Sequence, residues 1–227
     1  MSEPYPVDPT CSAPPVAILF DCDGTLLLTA DLHFIGISGA IRLQGMQMPR
    51  DWYMSLTGLG RRDLFARFAS DFATAPDLSR LVSDSIALTV AQSCHAQENP
   101  LVAGLARVAS GALPIAVVTN SEAAIAKAFL VETALHDLFD CIVTVEDAPR
   151  PKPAPDLYRI AAARLGVSPE HCLVLEDSDQ GLVAAQAAGM QWIDVRCAEW
   201  PSRCEGLMRH LAGSPPDSGC ASRGITA

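Results

Sequence analysis

The sequence predicts an α/β protein in which a doubly wound parallel sheet carries an inserted helical domain. Five short apolar runs alternate with helical segments along most of the 227-residue chain, a pattern typical of parallel sheets with right-handed crossovers. A long helical stretch separates the first run from the second. Polar residues follow the ends of the runs, and the carboxyl ends of parallel strands are where such sheets bind ligands.

The predicted strands are nearly continuous apolar runs, each about five residues long. They are rich in Val, Ile and Leu, which suits parallel strands covered by helices on both faces. The runs span residues 16–20, 114–119, 141–145, 172–176 and 191–195.

Three predicted helices connect the last four strands. Residues 121–135 have apolar or small side chains at helical spacing, and residues 155–165 follow a proline stop. Residues 181–188 end before Gly189, a residue type suited to the position after a helix. Each connection can therefore form the crossover that a parallel pair requires.

About ninety residues separate the first two strands, far more than one crossover helix needs. Three segments there, 29–46, 61–72 and 77–94, carry apolar residues three and four positions apart without strand-like alternation. The insertion is therefore predicted to be helical, and a further helix near 100–110 leads back into the sheet.

These features divide the chain into a core at 16–28 and 97–212, a helical domain at 29–96, and two tails at 1–15 and 213–227. Both tails are rich in Pro, Gly and Ser and have little periodicity, which predicts disordered, flexible ends. Binding of a partner by the tails is the alternative interpretation.

Composition favours a globular protein and argues against several classes of partner. Hydrophobic residues make up 49% and charged residues 19% of the chain, a mix that can bury a full core. The formal net charge of −10 would repel nucleic acid and anionic lipid. No apolar stretch approaches a membrane span, and the N-terminus lacks a signal-peptide pattern. We therefore expect a cytoplasmic protein, monomeric or dimeric, whose partner is neither nucleic acid nor membrane.

The cysteines do not indicate a metal site or a disulfide framework. The chain has eight, and they form no C-x-x-C pair. Two of them, Cys141 and Cys172, begin apolar runs predicted to be buried strands. Zinc ligation and disulfide bonding are therefore not expected.

Chemically reactive side chains follow four of the predicted strands and converge on one edge of the sheet. A turn with solvated acids would explain any one of these loops alone, but their coincidence at one edge favours a functional site. In chain order the residues are Asp21, Asp23 and Gly24, then Thr119 and Asn120, then Lys152, and then Glu176 and Asp177.

The carboxylates of this set indicate a magnesium site. Asp21 and Asp23 lie one residue apart at a strand end, so they point the same way, and Gly24 lets the chain turn sharply after them. Together with Glu176 and Asp177 they offer only oxygen donors, which suits Mg²⁺. We predict that these carboxylates hold Mg²⁺, with Asp177 as a direct ligand and Glu176 either as a ligand or as the acceptor for a metal-bound water.

The residue types also indicate phosphoryl transfer. Asp21 is expected to attack phosphorus and form an aspartyl-phosphate. Asp23 is expected to protonate the leaving alkoxide and then deprotonate the attacking water, which favours a pKa near the working pH. Thr119 and the backbone N–H of Asn120 are expected to bind phosphoryl oxygens, and Lys152 to hold both the phosphate and Asp21.

The chain resembles the haloacid dehalogenase (HAD) superfamily of phosphohydrolases in four motifs, ILFDCDGTL, VVTNS, RPKPAPDLY and LEDSDQGLVAAQAAGM. The resemblance extends over residues 16–196 and is greatest to the branch with β-phosphoglucomutase, phosphoglycolate phosphatase and sugar-phosphate phosphatases. That branch has a Rossmann-like core with a helical cap inserted after the first motif, which is where this chain has its insertion.

The same resemblance implies roles for residues of the insertion. His33 falls where that branch often has a histidine that contacts the acid/base loop, and a histidine packed within a helix is the alternative. Gly58 and Arg61 lie in a segment similar to the cap loop that reaches the active site, where Arg61 matches an anion-binding position. A solvated helix start with Arg61 and Arg62 exposed is the alternative.

The number and positions of the lysines distinguish this chain from several enzymes of the family that it resembles. The chain has only Lys127 and Lys152, so its insertion lacks the Schiff-base lysine of phosphonatases and the lysine that β-phosphoglucomutase has where this chain has Thr57. Dehalogenases lack the second aspartate, whereas Asp23 is present. The resemblance therefore implies hydrolysis of a small phosphate monoester, either a sugar phosphate or a phosphoglycolate-like compound. A β-phosphoglucomutase-type mutase is the alternative, followed by a catalytically inactive metabolite-binding or interaction protein.

Overall fold

The computed structural model describes residues 14–56 and 58–213 of the chain. Thr57 and nearly all of the two predicted tails therefore lie outside the described residues. Residue 213, which was assigned to the second tail, instead closes the last helix.

A five-stranded parallel sheet forms the centre of the fold, with strand order β3-β2-β1-β4-β5. Its strands are β1 (Ala17–Phe20), β2 (Ile115–Val118), β3 (Cys141–Val143), β4 (Cys172–Glu176) and β5 (Gln191–Asp194). The predicted doubly wound α/β class is confirmed. Because β2 and β4 lie on either side of β1, the loops that follow these strands come together beyond β1.

The helices of the described residues fall into an inserted group and a group that covers the sheet. The inserted group comprises α1 (Ala30–Leu43), α2 (Arg50–Met54), α3 (Arg61–Asp71) and α4 (Leu78–Val90). The covering group comprises α5 (Pro100–Ala109), α6 (Ala123–Glu132), α7 (Asp156–Leu165), α8 (Asp179–Ala188) and α9 (Trp200–Gly213). Short 3₁₀ turns lie at Ser93–His95, His136–Leu138, Val145–Asp147 and Pro169–His171.

Successive residues of β1 pack into different cores, as expected for a strand covered on both faces. Ile18 and Phe20 join the apolar cluster beneath α5, α6 and α9. Ala17 and Leu19 join the cluster beneath α7 and α8. The charged residues after β1 therefore extend from a strand that is buried on both sides.

The inserted helices have an apolar cluster of their own. Phe65 and Phe68 of α3 pack with Leu81 of α4 and Ile41 of α1. The insertion is thus a helical layer above the carboxyl edge of the sheet, and its face toward that edge can line a cavity. The exact boundary of this domain at 29–96 stays a prediction.

Two helices are absent from the sequence prediction. The helix α2 is short and has no buried residue, so it lacks an apolar stripe. The helix α9 has only Cys204, Leu207 and Leu211 as buried large side chains, among Pro201 and several charged residues. No helix in the described part of the chain has the length and apolar character needed to cross a membrane.

Candidate active site

A cavity of about 200 Å³ lies between the carboxyl edge of the sheet and the inserted helices. This volume is small compared with that of drug-sized pockets, which suits a small metabolite. Every residue predicted from the sequence to take part in the site lines this cavity: Asp21, Asp23, Gly24, His33, Gly58, Arg61, Thr119, Asn120, Lys152, Glu176 and Asp177.

Lys152 is the central cation at the floor of the cavity. Its buried Nζ donates to Asp21 Oδ1 at 2.7 Å, to Glu176 Oε1 at 2.7 Å and to the carbonyl of Val118 at 2.8 Å. Nζ also lies 4.7 Å from the centre of the Tyr158 ring. Burial alone would lower the pKa of Lys152, but Asp21 and Glu176 raise it well above its usual value. The ammonium is therefore charged and fully hydrogen-bonded.

Asn120 holds the backbone of the loop that carries this lysine. Its Oδ1 accepts from the N–H of Lys152 at 2.9 Å, and its Nδ2 donates to the carbonyl of Lys152 at 3.1 Å. The sequence motif identified Asn120 only through its backbone N–H. Its side chain has the separate task of fixing the lysine loop against the loop after β2.

Glu176 is completely buried and accepts five hydrogen bonds from neighbouring protein groups. Its Oε1 accepts from Lys152 and from the Tyr158 hydroxyl, and its Oε2 accepts from the N–H groups of Asp177 and Ser178 and from the Ser178 hydroxyl. Burial raises the pKa of Glu176, but Lys152 and these donors lower it below its usual value. Glu176 therefore holds Lys152 and the turn after β4, and its role as metal ligand or as acceptor for a metal-bound water stays a prediction.

Three carboxylates form the candidate metal centre. Asp21, Glu176 and Asp177 each offer an oxygen atom, and these atoms lie within 4.8 Å of one another. Burial and the charge of Glu176 raise the pKa of Asp21 well above its usual value and that of Asp177 to about 6. Lys152 alone leaves the cluster with excess negative charge, so a hard divalent cation fits both the donor set and the charge.

Asp23 is not part of this cluster among the described residues, contrary to its prediction as a carboxylate ligand. Its Oδ1 accepts from Thr29 Oγ1 and His33 Nε2, both at 2.7 Å. Its Oδ2 accepts from Ser121 Oγ at 2.6 Å and Thr119 Oγ1 at 3.3 Å. Both carboxylate oxygens therefore face donors of the insertion and of the loop after β2.

These donors determine the charge of Asp23. Burial would raise the pKa of Asp23, but His33 and the hydroxyl donors of Ser121 and Thr29 hold it well below its usual value. The expected pKa near the working pH is therefore wrong for this arrangement, which stabilises the ionised form of the Asp23 carboxylate.

His33 has both features that were considered from the sequence, because it packs against a neighbouring helix and also contacts the loop that carries Asp23. It is buried and its ring packs edge-on against Phe129, yet it also contacts Asp23, the predicted acid/base residue. Its Nδ1 lies 2.9 Å from Arg61 Nη2. Because a guanidinium only donates, Nδ1 is the acceptor, and the ring proton lies on Nε2, which donates to Asp23.

Arg61 is buried rather than exposed, so the interpretation as a solvated helix start is wrong for it, although it holds for Arg62. Its Nε donates to Glu122 Oε2 at 2.7 Å, and its Nη2 also reaches Thr89 Oγ1 at 3.3 Å. Its Nη1 is buried and has no hydrogen-bond partner among the described residues. Glu122 was not identified from the sequence, because no local pattern links it to an arginine 61 positions away.

Two glycines bring loops close together at this site. Gly24 has φ +91°, and a Cβ there would lie 2.1 Å from Asp177 Oδ2, so any other residue would displace that carboxylate. Gly58 lies beside Gln180. With its amide nitrogen turned toward the loop, Gln180 donates to the carbonyls of Gly58 at 2.7 Å and Lys152 at 3.3 Å. This amide links the insertion to the lysine loop.

Comparison with known proteins gives one family. A model described as haloacid dehalogenase-like hydrolase matches residues 18–195. Fructose-1-phosphate phosphatase YqaB of Escherichia coli is 34% identical over an alignment 191 residues long, which covers 79% of this chain and 95% of that protein.

Solved structures give the same fold. CbbY from Rhodobacter sphaeroides, in complex with phosphate, has a TM-score of 0.73 and 30% identity over 79% of this chain and 85% of its own. A mutant of that protein was solved with xylulose-(1,5)bisphosphate. The β-phosphoglucomutase from Clostridium difficile has a TM-score of 0.71 over 83% of this chain and 88% of its own. At 22% identity, this last likeness indicates the fold alone.

Proposed function

The chain belongs to the haloacid dehalogenase-like hydrolases, and we propose that it is a Mg²⁺-dependent phosphatase that acts through an aspartyl-phosphate. Its substrate is a small phosphorylated metabolite, a sugar phosphate or a phosphoglycolate-like compound. The observation that carries this proposal is the Asp21 carboxylate, held 2.7 Å from the buried Lys152 ammonium at the floor of the cavity. The similarity to a fructose-1-phosphate phosphatase supports a sugar phosphate. A cytoplasmic location stays a prediction.

The metal would be held by the cluster of Asp21, Asp177 and Glu176. When bound, Mg²⁺ supplies charge neutralisation for the phosphate and for these carboxylates. Without such a cation a phosphate would meet a site with more carboxylates than ammonium groups, and the net charge of −10 would oppose binding further.

Asp21 is the nucleophile of the first step. Lys152 Nζ donates to Oδ1, so Oδ2 is available to attack phosphorus as the bond from phosphorus to the ester oxygen breaks. The positive charge of the same ammonium group attracts the phosphate, while its three N–H groups donate to Asp21, Glu176 and the carbonyl of Val118. Thr119 and the backbone N–H of Asn120 bind non-bridging phosphate oxygens, which stabilises charge that develops in the transition state.

Asp23 donates a proton in the first half-reaction and accepts one in the second. In its protonated form it delivers a proton to the leaving alkoxide, which regenerates the carboxylate. That carboxylate then takes a proton from the water that attacks the aspartyl-phosphate, so protons balance over one turnover. The ionised, fully hydrogen-bonded Asp23 of this structure suits the second of these steps.

Phosphate release from p-nitrophenyl phosphate tests this proposal. We expect release with Mg²⁺, none in EDTA, and recovery when Mg²⁺ is restored. A panel of fructose 1-phosphate, hexose 6-phosphates, phosphoglycolate and β-glucose 1-phosphate then identifies the substrate class. Conversion of β-glucose 1-phosphate to glucose 6-phosphate without phosphate release would identify the mutase, and no reaction with any ester would identify a binding protein. Activity in EDTA that responds to Zn²⁺ alone would contradict the metal assignment.

A further inference from the structure

One pair of opposite charges joins the insertion to the core inside the cavity. Arg61 begins α3 in the insertion, whereas Glu122 immediately precedes α6 in the core. Arg61 Nε lies 2.7 Å from Glu122 Oε2, and the two side chains are 6% and 12% exposed. Both residues line the cavity. The charge of Arg61 is therefore already compensated within the protein.

The surroundings add no further positive charge at this end of the cavity. The imidazole between Arg61 and Asp23 accepts from the first and donates to the second, so both of its ring nitrogens are engaged within the protein. Among the described residues that line the cavity, the other cation is Lys152, which lies at the floor and pairs with Asp21. A second phosphate near Arg61 would thus meet the carboxylate of Glu122 without a cation of its own.

The hydrogen-bonding groups at the Arg61–Glu122 end of the cavity fit an uncharged group of a ligand. Arg61 Nη1 is buried and lacks a partner within the described part of the chain, which is costly unless a ligand supplies an acceptor. The neighbouring Glu122 carboxylate can accept more than one hydrogen bond. A hydroxyl group both accepts and donates, so it can satisfy Nη1 and bond to Glu122 without adding charge.

We propose that the Arg61–Glu122 end of the cavity binds the hydroxylated, uncharged part of a phosphate monoester, and that Glu122 excludes substrates with a second phosphate there. This inference rests on the proposed function and narrows it to monophosphates of polyhydroxy compounds. It makes Glu122 a specificity-determining residue that acts by repulsion.

Matched pairs of esters test this proposal. The pairs are fructose 1-phosphate with fructose 1,6-bisphosphate, glucose 1-phosphate with glucose 1,6-bisphosphate, and ribulose 5-phosphate with ribulose 1,5-bisphosphate. For the best monophosphate, we expect kcat/KM to exceed that of p-nitrophenyl phosphate and to exceed that of its bisphosphate by about 30-fold or more. Glu122→Gln removes the charge at nearly constant shape, and we expect it to reduce the monophosphate preference by about tenfold.

The ratio of two substrates within one variant cancels any general loss of activity. Glu146→Gln is the control, because Glu146 accepts from the N–H of Ala123 beside Glu122 but does not line the cavity. It should keep the wild-type ratio.

Three results would overturn the proposal while leaving the proposed function intact. These are wild-type activity on a bisphosphate equal to that on its monophosphate, sugar esters no better than p-nitrophenyl phosphate, or an unchanged ratio in a folded Glu122→Gln. The wild-type comparisons stand even if that variant does not fold. Absence of Mg²⁺-dependent release from p-nitrophenyl phosphate would instead overturn the proposed function, and this inference with it.

Discussion

The Nε2 atom of His33 lies 2.7 Å from Oδ1 of Asp23. His33 belongs to α1 of the insertion, and Asp23 belongs to the loop after β1 of the core. Arg61 fixes the proton of the ring on Nε2 through its own bond to Nδ1. The insertion thus supplies a hydrogen-bond donor to Asp23 as well as covering the cavity.

Replacing His33 should change the pH dependence of the reaction. Loss of its N–H donor raises the low pKa of Asp23, so the pH range in which Asp23 is an ionised base begins higher. In His33→Leu, whose side chain has no donor, we expect the acid limb of kcat for p-nitrophenyl phosphate to move upward by about one pH unit. This substrate is suitable because its phenolate leaves without a proton, so hydrolysis of the aspartyl-phosphate is expected to limit kcat.

His136→Leu is the control for this experiment, since His136 is partly exposed and pairs with the exposed Asp137. It should keep the wild-type profile. A His33→Leu profile with the wild-type acid limb and a uniformly reduced kcat would mean that His33 serves packing alone.

Gly24→Ala should weaken metal binding. The new Cβ would meet Asp177 Oδ2 at 2.1 Å, which displaces a proposed ligand. We expect the Mg²⁺ concentration for half-maximal activity to rise by about tenfold or more. Gly45→Ala separates this effect from backbone strain, because Gly45 has φ +76° with open space around it. Both variants should lose about 1 kcal/mol of stability. Equal Mg²⁺ dependence in both would contradict the role of the close contact.

Glu176→Gln should destabilise the fold. The substitution removes the negative charge that faces the Lys152 ammonium, and the two side chains of this pair are only 1% and 2% exposed. Loss of one partner of a buried ion pair costs about 3–5 kcal/mol. Urea unfolding measures this loss. The exposed Glu170 provides the control, since Glu170→Gln should stay within about 0.5 kcal/mol of wild type. Wild-type stability of Glu176→Gln would show that Asp21 alone suffices to hold the lysine.

The sequence could predict elements whose pattern is local. The family and the fold class are confirmed, and the run at 172–176 coincides with β4 because Asp177 interrupts it. The run at 141–145 overestimates β3, since Thr144 and Asp147 form a capping box that starts a 3₁₀ turn. The strand therefore ends where the hydrogen bonds of the turn begin, although the apolar run continues beyond that point.

The sequence could predict site residues that belong to a motif within a single loop. It could not predict features of the site that depend on contacts between distant segments. Asp21 and Lys152 belong to motifs that are complete within a few residues. The proton position on His33 depends on Arg61, and the neutralisation of Arg61 depends on Glu122. These contacts arise only when the insertion packs against the core. The roles assigned to the site residues stay predictions until the variants are measured.

The most direct test of the account is the turnover of Asp21→Asn with saturating Mg²⁺. The amide fills the same space as the carboxylate but cannot attack phosphorus. With p-nitrophenyl phosphate and with the best metabolite, we expect kcat below about 1% of wild type, with the circular dichroism spectrum and melting curve of a folded protein. A folded Asp21→Asn that keeps more than about 5% of the wild-type kcat would contradict an aspartyl-phosphate at Asp21.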